Sequence, residues 1–512
     1  LFESPTIAGL AAQVQAATET DEPHQPPPIA RIARDGDMPL SFAQQRLWFL
    51  DQLEPDSPFY NMPLTVRLKG PLHLEALQDS LDEIVRRHEA LRTIFPLVDS
   101  QPVQRILPEA GCPLSLIDLR SVPQSQREAE IARRLAEETR RPFDLAHGPL
   151  IRSTILRADE HDHVLLITMH HIVSDGWSLG VLVRELAALY EAFSGGNPAP
   201  LADLPVQYAD YAVWQRQWLA GERLETQLGY WRTQLHPEGT RHPPVLELPL
   251  DRPRPEIQTF HGARHTFSLD RDLSASLKEL SQRRGCTLFM TLLTAFQVFL
   301  HRYTGQHDIL VGSPIANRTR VELEPLIGFF ANTLVLRADL SGNPTFVEAL
   351  ERVRQVCLGA YAHQDLPFER IVEELQPERS LRQQALFQVA FALQSALIPQ
   401  LQINGVTFQH VETNLGAAKF DLALFMDERD DHLCGMLEYN TDLFESSTIE
   451  RMVRHFETLL RGIAARPDTP IAQLPLMSAP ERQQMVSPTG AARKKRQPSI
   501  DQLVAKLTRN KE

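Results

Sequence analysis

The 512-residue chain holds only four cysteines, Cys112, Cys286, Cys357 and Cys434, scattered without a C-x-x-C pair. That spacing argues against zinc and against a disulfide framework, and it suits a reducing, cytoplasmic setting. Positive charge is short as well: 52 Lys and Arg against 65 Asp and Glu leave a net charge of −13. Such a chain offers no electrostatic footprint for nucleic acid or an anionic membrane. No uninterrupted apolar run reaches the ~18 residues of a membrane span. Phosphate-binding signatures are missing too, because no Gly-Lys pair occurs and no G-x-G-x-x-G follows a strand. There is no H-E-x-x-H zinc motif. Nothing here activates a carboxylate with ATP, so any acyl donor must arrive already activated, and no bound cofactor or metal is expected. The chain opens on Leu1, so it reads as an excised piece of a longer polypeptide, and the missing signal peptide carries no weight.

What is present is ordinary globular material, 43% hydrophobic and 23% charged, of a length that suggests roughly three domain-sized units. Residues 1–16, "LFESPTIAGLAAQVQA", have helical spacing but are too few for a domain. Residues 17–37 are polar and proline-rich, a linker by composition. From 38 to about 220, strand-like runs such as "HVLLITM" alternate with helical patterns. A second proline-rich passage follows, "HPEGTRHPPVLELPLDRPRPE", and the alternation resumes over 221–475. Within it "CTLFMTLLTAFQVFLHRYTG" is apolar nearly all round, as a buried helix would be. The expectation is an α/β protein of two lobes. Residues 476–512 lose apolar density. They hold a basic run at 493–496 and one helical stripe, Ile500, Leu503, Val504 and Leu507, and read as a linker or a docking tail.

The stretch "HHIVSDG", 170–176, ends the apolar run "HVLLITM" and precedes "WSLGVLVRELAALYEAF". Strand side chains alternate, so His170 and His171 leave on opposite faces and one imidazole can enter a cavity while the other packs. Leu179, Val183, Leu186 and Tyr190 form a helical stripe, so a helix begins near Trp177 with Asp175 as its N-cap. Free backbone N–H groups at such a terminus can face a developing oxyanion. Two readings stay open: a capped surface turn, or a base with oxyanion donors suited to acyl transfer. A rival overlaps them. "GWSLG", 176–180, matches G-x-S-x-G, with Asp365 and His363 as downstream partners for Ser178. A serine nucleophile needs a tight turn directly after the strand, whereas Ser178 lies beyond it in the coming helix. Ser178→Ala is therefore expected to be nearly silent.

The surrounding blocks carry a resemblance. "MHHIVSDGWS" is similar to the H-H-x-x-x-D-G signature of the condensation domains of nonribosomal peptide synthetases. "LSFAQQRLWFLDQL" (40–53), "RRHEALRTIF" (86–95) and "YADYAVWQ" (208–215) resemble that family's first, second and fourth motifs. "IGFFANTLVLR" (327–337), "HQDLPFERIVEEL" (363–375) and "ALFQVAFALQ" (385–394) resemble its last three. The opening residues 1–16 look like the last helix of a peptidyl carrier domain.

The resemblance implies a two-lobed pseudo-dimer related to chloramphenicol acetyltransferase, with the active site in a tunnel between the lobes. It implies amide formation between thioesters borne on phosphopantetheine arms of an upstream donor and a downstream acceptor carrier, both L-configured. His171, Gly176 and His170 are the candidate catalytic residues. His171 would receive the proton of the attacking amine, backbone N–H groups near Gly176 would hold the oxyanion, and His170 would be structural. Asp175 would pair with an arginine, for which Arg318 is the candidate. Trp48, Trp214, Phe329 and Phe330 are expected in the core. The tail does not resemble the start of an adenylation domain, which leaves three possibilities: an adenylation domain or docking partner beyond it, or release onto a free amine. A serine hydrolase using Ser178 and a non-catalytic scaffold that gathers carriers are the readings of another class.

Overall fold

A computed structural model of the chain describes residues 26–236, 243–375, 386–394, 401–411, 416–429 and 431–478, with Ala8, Ala11, Arg382, Gln384 and Glu481 besides. The expected helix over 1–16, apart from Ala8 and Ala11, and the basic run and apolar stripe of the tail lie outside the described residues.

Two six-stranded mixed sheets organise the molecule. The first runs in the order Leu401–Ile403, Val406–His410, Asn61–Lys69, Asp162–His170, Ile151–Asp159 and Leu114–Asp118. The second runs Asn332–Asp339, Asp308–Ile315, Val389–Gln394, Leu422–Arg429, His432–Asn440 and Gly262–Ser268. Each sheet carries its own apolar core. The strand Asp162–His170 is flanked on both sides, with Asn61 opposite His170 and Ile151 opposite Met169. It is buried from His163 to His170. That double burial is why "HVLLITM" shows no alternation. The expected buried helix spans Leu288–Thr304, capped by Thr287 and stopped by Gly305, whose φ of 74° is costly for any residue with a Cβ. All four cysteines are free thiols.

Two features cross the boundary between the halves of the chain. The hairpin Leu401–Ile403 and Val406–His410 comes from the second half but pairs with the first sheet, Thr407 opposite Lys69 and His410 opposite Val66. Its turn is Asn404-Gly405, both at positive φ, which two-residue hairpins require. The other feature is the described part of the proline-rich linker, which is docked rather than free. Ile29 is buried, Trp214 Nε1 donates to Pro27 O at 2.8 Å, and Arg320 donates to the carbonyls of Pro26 and Pro27. A proline has a carbonyl to offer and no N–H to satisfy, so such a segment can lie against indole and guanidinium donors without orphaning a donor of its own.

Candidate functional site

The strand Asp162–His170 passes into a single 3-10 turn, His171–Val173, and then the helix Gly176–Ser194. His170 is buried between Phe143 and Tyr60, and its Nδ1 accepts from Ile172 N at 3.1 Å. Burial pushes its imidazole down to about 3, so it stays neutral at physiological pH. His171 is half-buried, and its Nδ1 lies 2.8 Å from Ser174 O. A carbonyl can only accept, so Nδ1 carries the proton and Nε2 keeps its lone pair. Burial and the Lys419 charge hold His171 well below the ordinary imidazole range. At neutral pH it is therefore a fixed, uncharged acceptor.

Asp175 is the N-cap, and it does more than cap. Oδ1 accepts from Ser178 N (2.8 Å), Ser178 Oγ (2.7 Å) and Arg318 Nη2 (3.1 Å), while Oδ2 accepts from Phe330 N (3.0 Å) and Ala331 N (3.2 Å). Both side chains of the Asp175–Arg318 pair are about 1% exposed. Arg318 Nη1 continues to the carbonyls of Leu323 and Leu326. The carboxylate thus fastens the turn to a loop from the second lobe and faces no open space. Gly176 is exposed, and a Cβ there would meet nothing within 4 Å. The N–H groups of Gly176 and Trp177, first in the helix, have no partner among the described residues. They are available as donors, as the N-terminus predicts.

The hydrolase reading fails on geometry. Ser178 is fully buried in the first turn of the helix, not on an elbow. Its Oγ donates to Asp175 Oδ1 or Gly328 O and accepts from Gly328 N and Arg318 Nη2. His363 bonds Gly359 O and stacks on Tyr230, and Asp365 accepts from Trp218; neither touches Ser178. The near-silence expected of Ser178→Ala concerns product formation, and stability is a separate matter. Removing the hydroxyl strips an acceptor from Gly328 N and Arg318 Nη2, so melting experiments should register a loss of ~1–3 kcal/mol. A serine-directed fluorophosphonate should leave Ser178 unlabelled.

The other blocks converge on the same turn. Ser41 Oγ meets Tyr208 OH at 2.8 Å, and Tyr208 OH donates to Phe329 O at 2.6 Å. Gln44 Nε2 reaches Ile172 O at 3.4 Å, and His88 Nδ1 accepts from Ile327 N at 3.2 Å. Tyr208 and His88 thus hold the 327–331 loop, while Gln44 holds the histidine turn itself. Trp48 and Phe330 pack as expected, and Trp214 stacks half-buried between Tyr211 and Trp218. Phe329, partly buried against the core like Trp48, also lies edge-on to His171 at 4.6 Å. The same ring lines a narrow cleft with Ala43, Tyr211, Gln215, Asn317 and Asn332, drawn from both lobes. Among the described residues no cluster of three His, Cys, Asp or Glu is placed to hold a metal.

Two glycines of the site separate by packing. A Cβ at Gly328 would lie 2.1 Å from Tyr208 Cδ2, and that ring is buried and pinned by its hydroxyl. Gly328→Ala should cost ~1–3 kcal/mol by overpacking. Gly176→Ala should leave thermal melting within ~0.5 kcal/mol of the parent, because its methyl enters open space.

The family described as Condensation domain matches residues 34–486. The chain is 51% identical over 488 residues to a linear gramicidin synthase polypeptide of Brevibacillus parabrevis, and 46% identical over 482 residues to malpinin synthetase of Mortierella alpina. The first alignment takes in 95% of this chain but only 9% of that synthase, the second 94% and 6%. This chain spans less than a tenth of the length of either. Among solved structures, the X-domain from teicoplanin biosynthesis superposes with a TM-score of 0.79 at 30% identity, over 88% of this chain and 100% of that one. The SgcC5 protein from Streptomyces globisporus superposes with a TM-score of 0.68 at 30% identity, over 84% and 100%. A family match along most of the sequence, with relatives about half identical over nearly all of this chain and solved structures of the same α/β fold, settles the kinship: this chain belongs to the condensation-domain family of nonribosomal peptide synthetases.

Proposed function

We propose that this chain forms an amide bond by bringing an acceptor amine to an acyl thioester beside His171. The observation that carries this reading is the fixed tautomer of His171, Nδ1–H on Ser174 O and Nε2 left as an acceptor. An α-amino group titrates near pH ~8, so part of it is already neutral at physiological pH. A base held below the ordinary imidazole range would not deprotonate a free ammonium. It can take the proton once the nitrogen bonds to the carbonyl carbon and becomes far more acidic. Positioning thus matters as much as basicity. The N–H groups of Gly176 and Trp177, without a partner among the described residues, are suited to the thioester oxygen.

The partners proposed are an upstream donor carrier and a downstream acceptor carrier, their substrates borne on phosphopantetheine arms. Residues 38–220 and 221–475 are assigned as the two lobes, 1–16 as the end of a carrier domain, and 476–512 as a linker or docking tail. Loading both carriers and following the condensed product by mass spectrometry tests the reaction. Product in the presence of the chain and none in its absence is expected. Carrier binding without product would leave a scaffold, and product from an unloaded, free amine would redirect the acceptor assignment.

A further inference from the structure

A cation beside the histidine turn has no role in the reaction as written so far. Lys419 follows a backbone segment that is locked in place. Ala418 N donates to Phe260 O at 2.8 Å, and Gly262 N donates to Gly416 O at 2.8 Å. The two segments lie so close that a Cβ on Gly262 would fall 2.3 Å from the Ala417 carbonyl carbon. From this fixed point the half-buried side chain crosses to the other lobe, where Nζ stands 5.4 Å from the Phe59 ring centroid and 5.5 Å from that of Tyr60. Both rings belong to the turn Pro58–Tyr60, which runs directly into the strand whose Asn61 lies opposite His170. The Tyr60 and His170 rings are 6.3 Å apart. The ammonium is therefore delivered next to the tandem histidines, and its charge opposes protonation of both.

Among the described residues this ammonium makes no hydrogen bond and no ion pair. The acid whose field it feels, Glu438, is already held by Arg264 at 3.0 Å. Burial pulls the Lys419 ammonium down to about 8. A charge partly withdrawn from water without a counter-ion is destabilising, and two aromatic faces offset only part of that. Unpaired charge kept at the seam beside a candidate base is the pattern of a functional group.

We propose that Lys419 is a further catalytic residue, whose ammonium acts on the thioester carbonyl oxygen together with the N–H groups of Gly176 and Trp177 and stabilises the negative charge that develops there. The proposal deepens the amide-forming reading and rests on it. The amine lone pair forms the new C–N bond while the carbonyl π pair moves to oxygen, against the ammonium. Nε2 of His171 takes the proton from nitrogen. The oxygen pair then re-forms the C=O bond, the C–S bond breaks, and the departing sulfur takes the C–S bonding pair and the proton held by His171. Lys419 keeps its protons throughout, and no other reactant is required. A fixed cation favours the transition state, where the charge exists, over the neutral thioester.

The test uses the full chain with both carriers loaded, comparing single-turnover rates of the parent, Lys419→Met and Lys419→Arg. The methionine variant should lose about 10²–10³-fold in rate, with the acceptor KM within roughly threefold and no lowering of the melting temperature, because no ion pair is broken. Arginine should restore at least about tenfold of that loss, since it keeps the charge if not the geometry. The pH profile supplies a readout that a merely structural lysine would not move. Lys419 shares its surroundings with Glu438, Arg46, His170 and His171. The parent rate should fall above about pH 8 as the ammonium deprotonates, while the arginine variant holds its plateau. Near-parental turnover by Lys419→Met, or identical high-pH limbs in the parent and the arginine variant, would overturn the assignment. If the parent itself forms no amide, the proposal falls together with the reading it rests on.

Discussion

Replacing His171 by alanine should lower amide formation by about 10²–10⁴-fold, the usual contribution of a positioned general base, and leave a folded protein. The expectation rests on how little else the side chain does. Its one hydrogen bond among the described residues goes to Ser174 O, and its ring touches Phe329. Removing them should cost stability by the ~1 kcal/mol of a single hydrogen bond and a small cavity. His170 gives the contrast. It is buried, packed between two aromatic rings and bonded to Ile172 N, so His170→Ala should appear first in the melting curve. Single-turnover assays and thermal melts on both variants separate the two histidines. A folded His171→Ala protein with near-parental turnover would mean that another group receives the amine proton.

Asp175→Ala should remove stability and activity together. The substitution leaves Arg318 buried without its counter-ion and strips the acceptor from Phe330 N, Ala331 N and Ser178 N. Breaking a buried pair from one side costs ~3–5 kcal/mol, because the remaining charge stays out of water. The activity loss is then a consequence of position, since the 327–331 loop that sets Phe329 against His171 is no longer tied to the turn. Asp175→Asn should fall between, having one acceptor oxygen where five donor contacts converged. Denaturant titration alongside the product assay decides the matter. Activity lost at unchanged stability would show that the carboxylate acts on the chemistry directly.

Much of the site was legible because its parts are local. Asp175 followed by a helical stripe announces a capped helix, and the apolar run before His170 announces a strand. The G-x-S-x-G match misled for the same reason. A five-residue pattern cannot report that Ser178 sits inside a helix with its hydroxyl already engaged on both sides. The docked linker was missed because proline-rich composition reads as solvent-exposed, whereas its carbonyls serve Trp214 and Arg320.

By itself the sequence determined what depends on neighbours a few positions apart: the alternation of strands and helices, the helix Leu288–Thr304 that is apolar nearly all round, the cap at Asp175 and the adjacency of the two histidines. Tertiary structure alone decided which His171 nitrogen is free, which of Phe329 and Phe330 meets that ring, and that the Asn404-Gly405 hairpin joins the first sheet. It also decided that Lys419 crosses to Phe59 and Tyr60. The physical reason is that capping and periodicity act within one or two turns of chain, whereas orientation and charge compensation are set by groups from distant segments. Whether an ammonium has a counter-ion is a property of the space around it, and that space is made by residues that the chain brings together only when it folds.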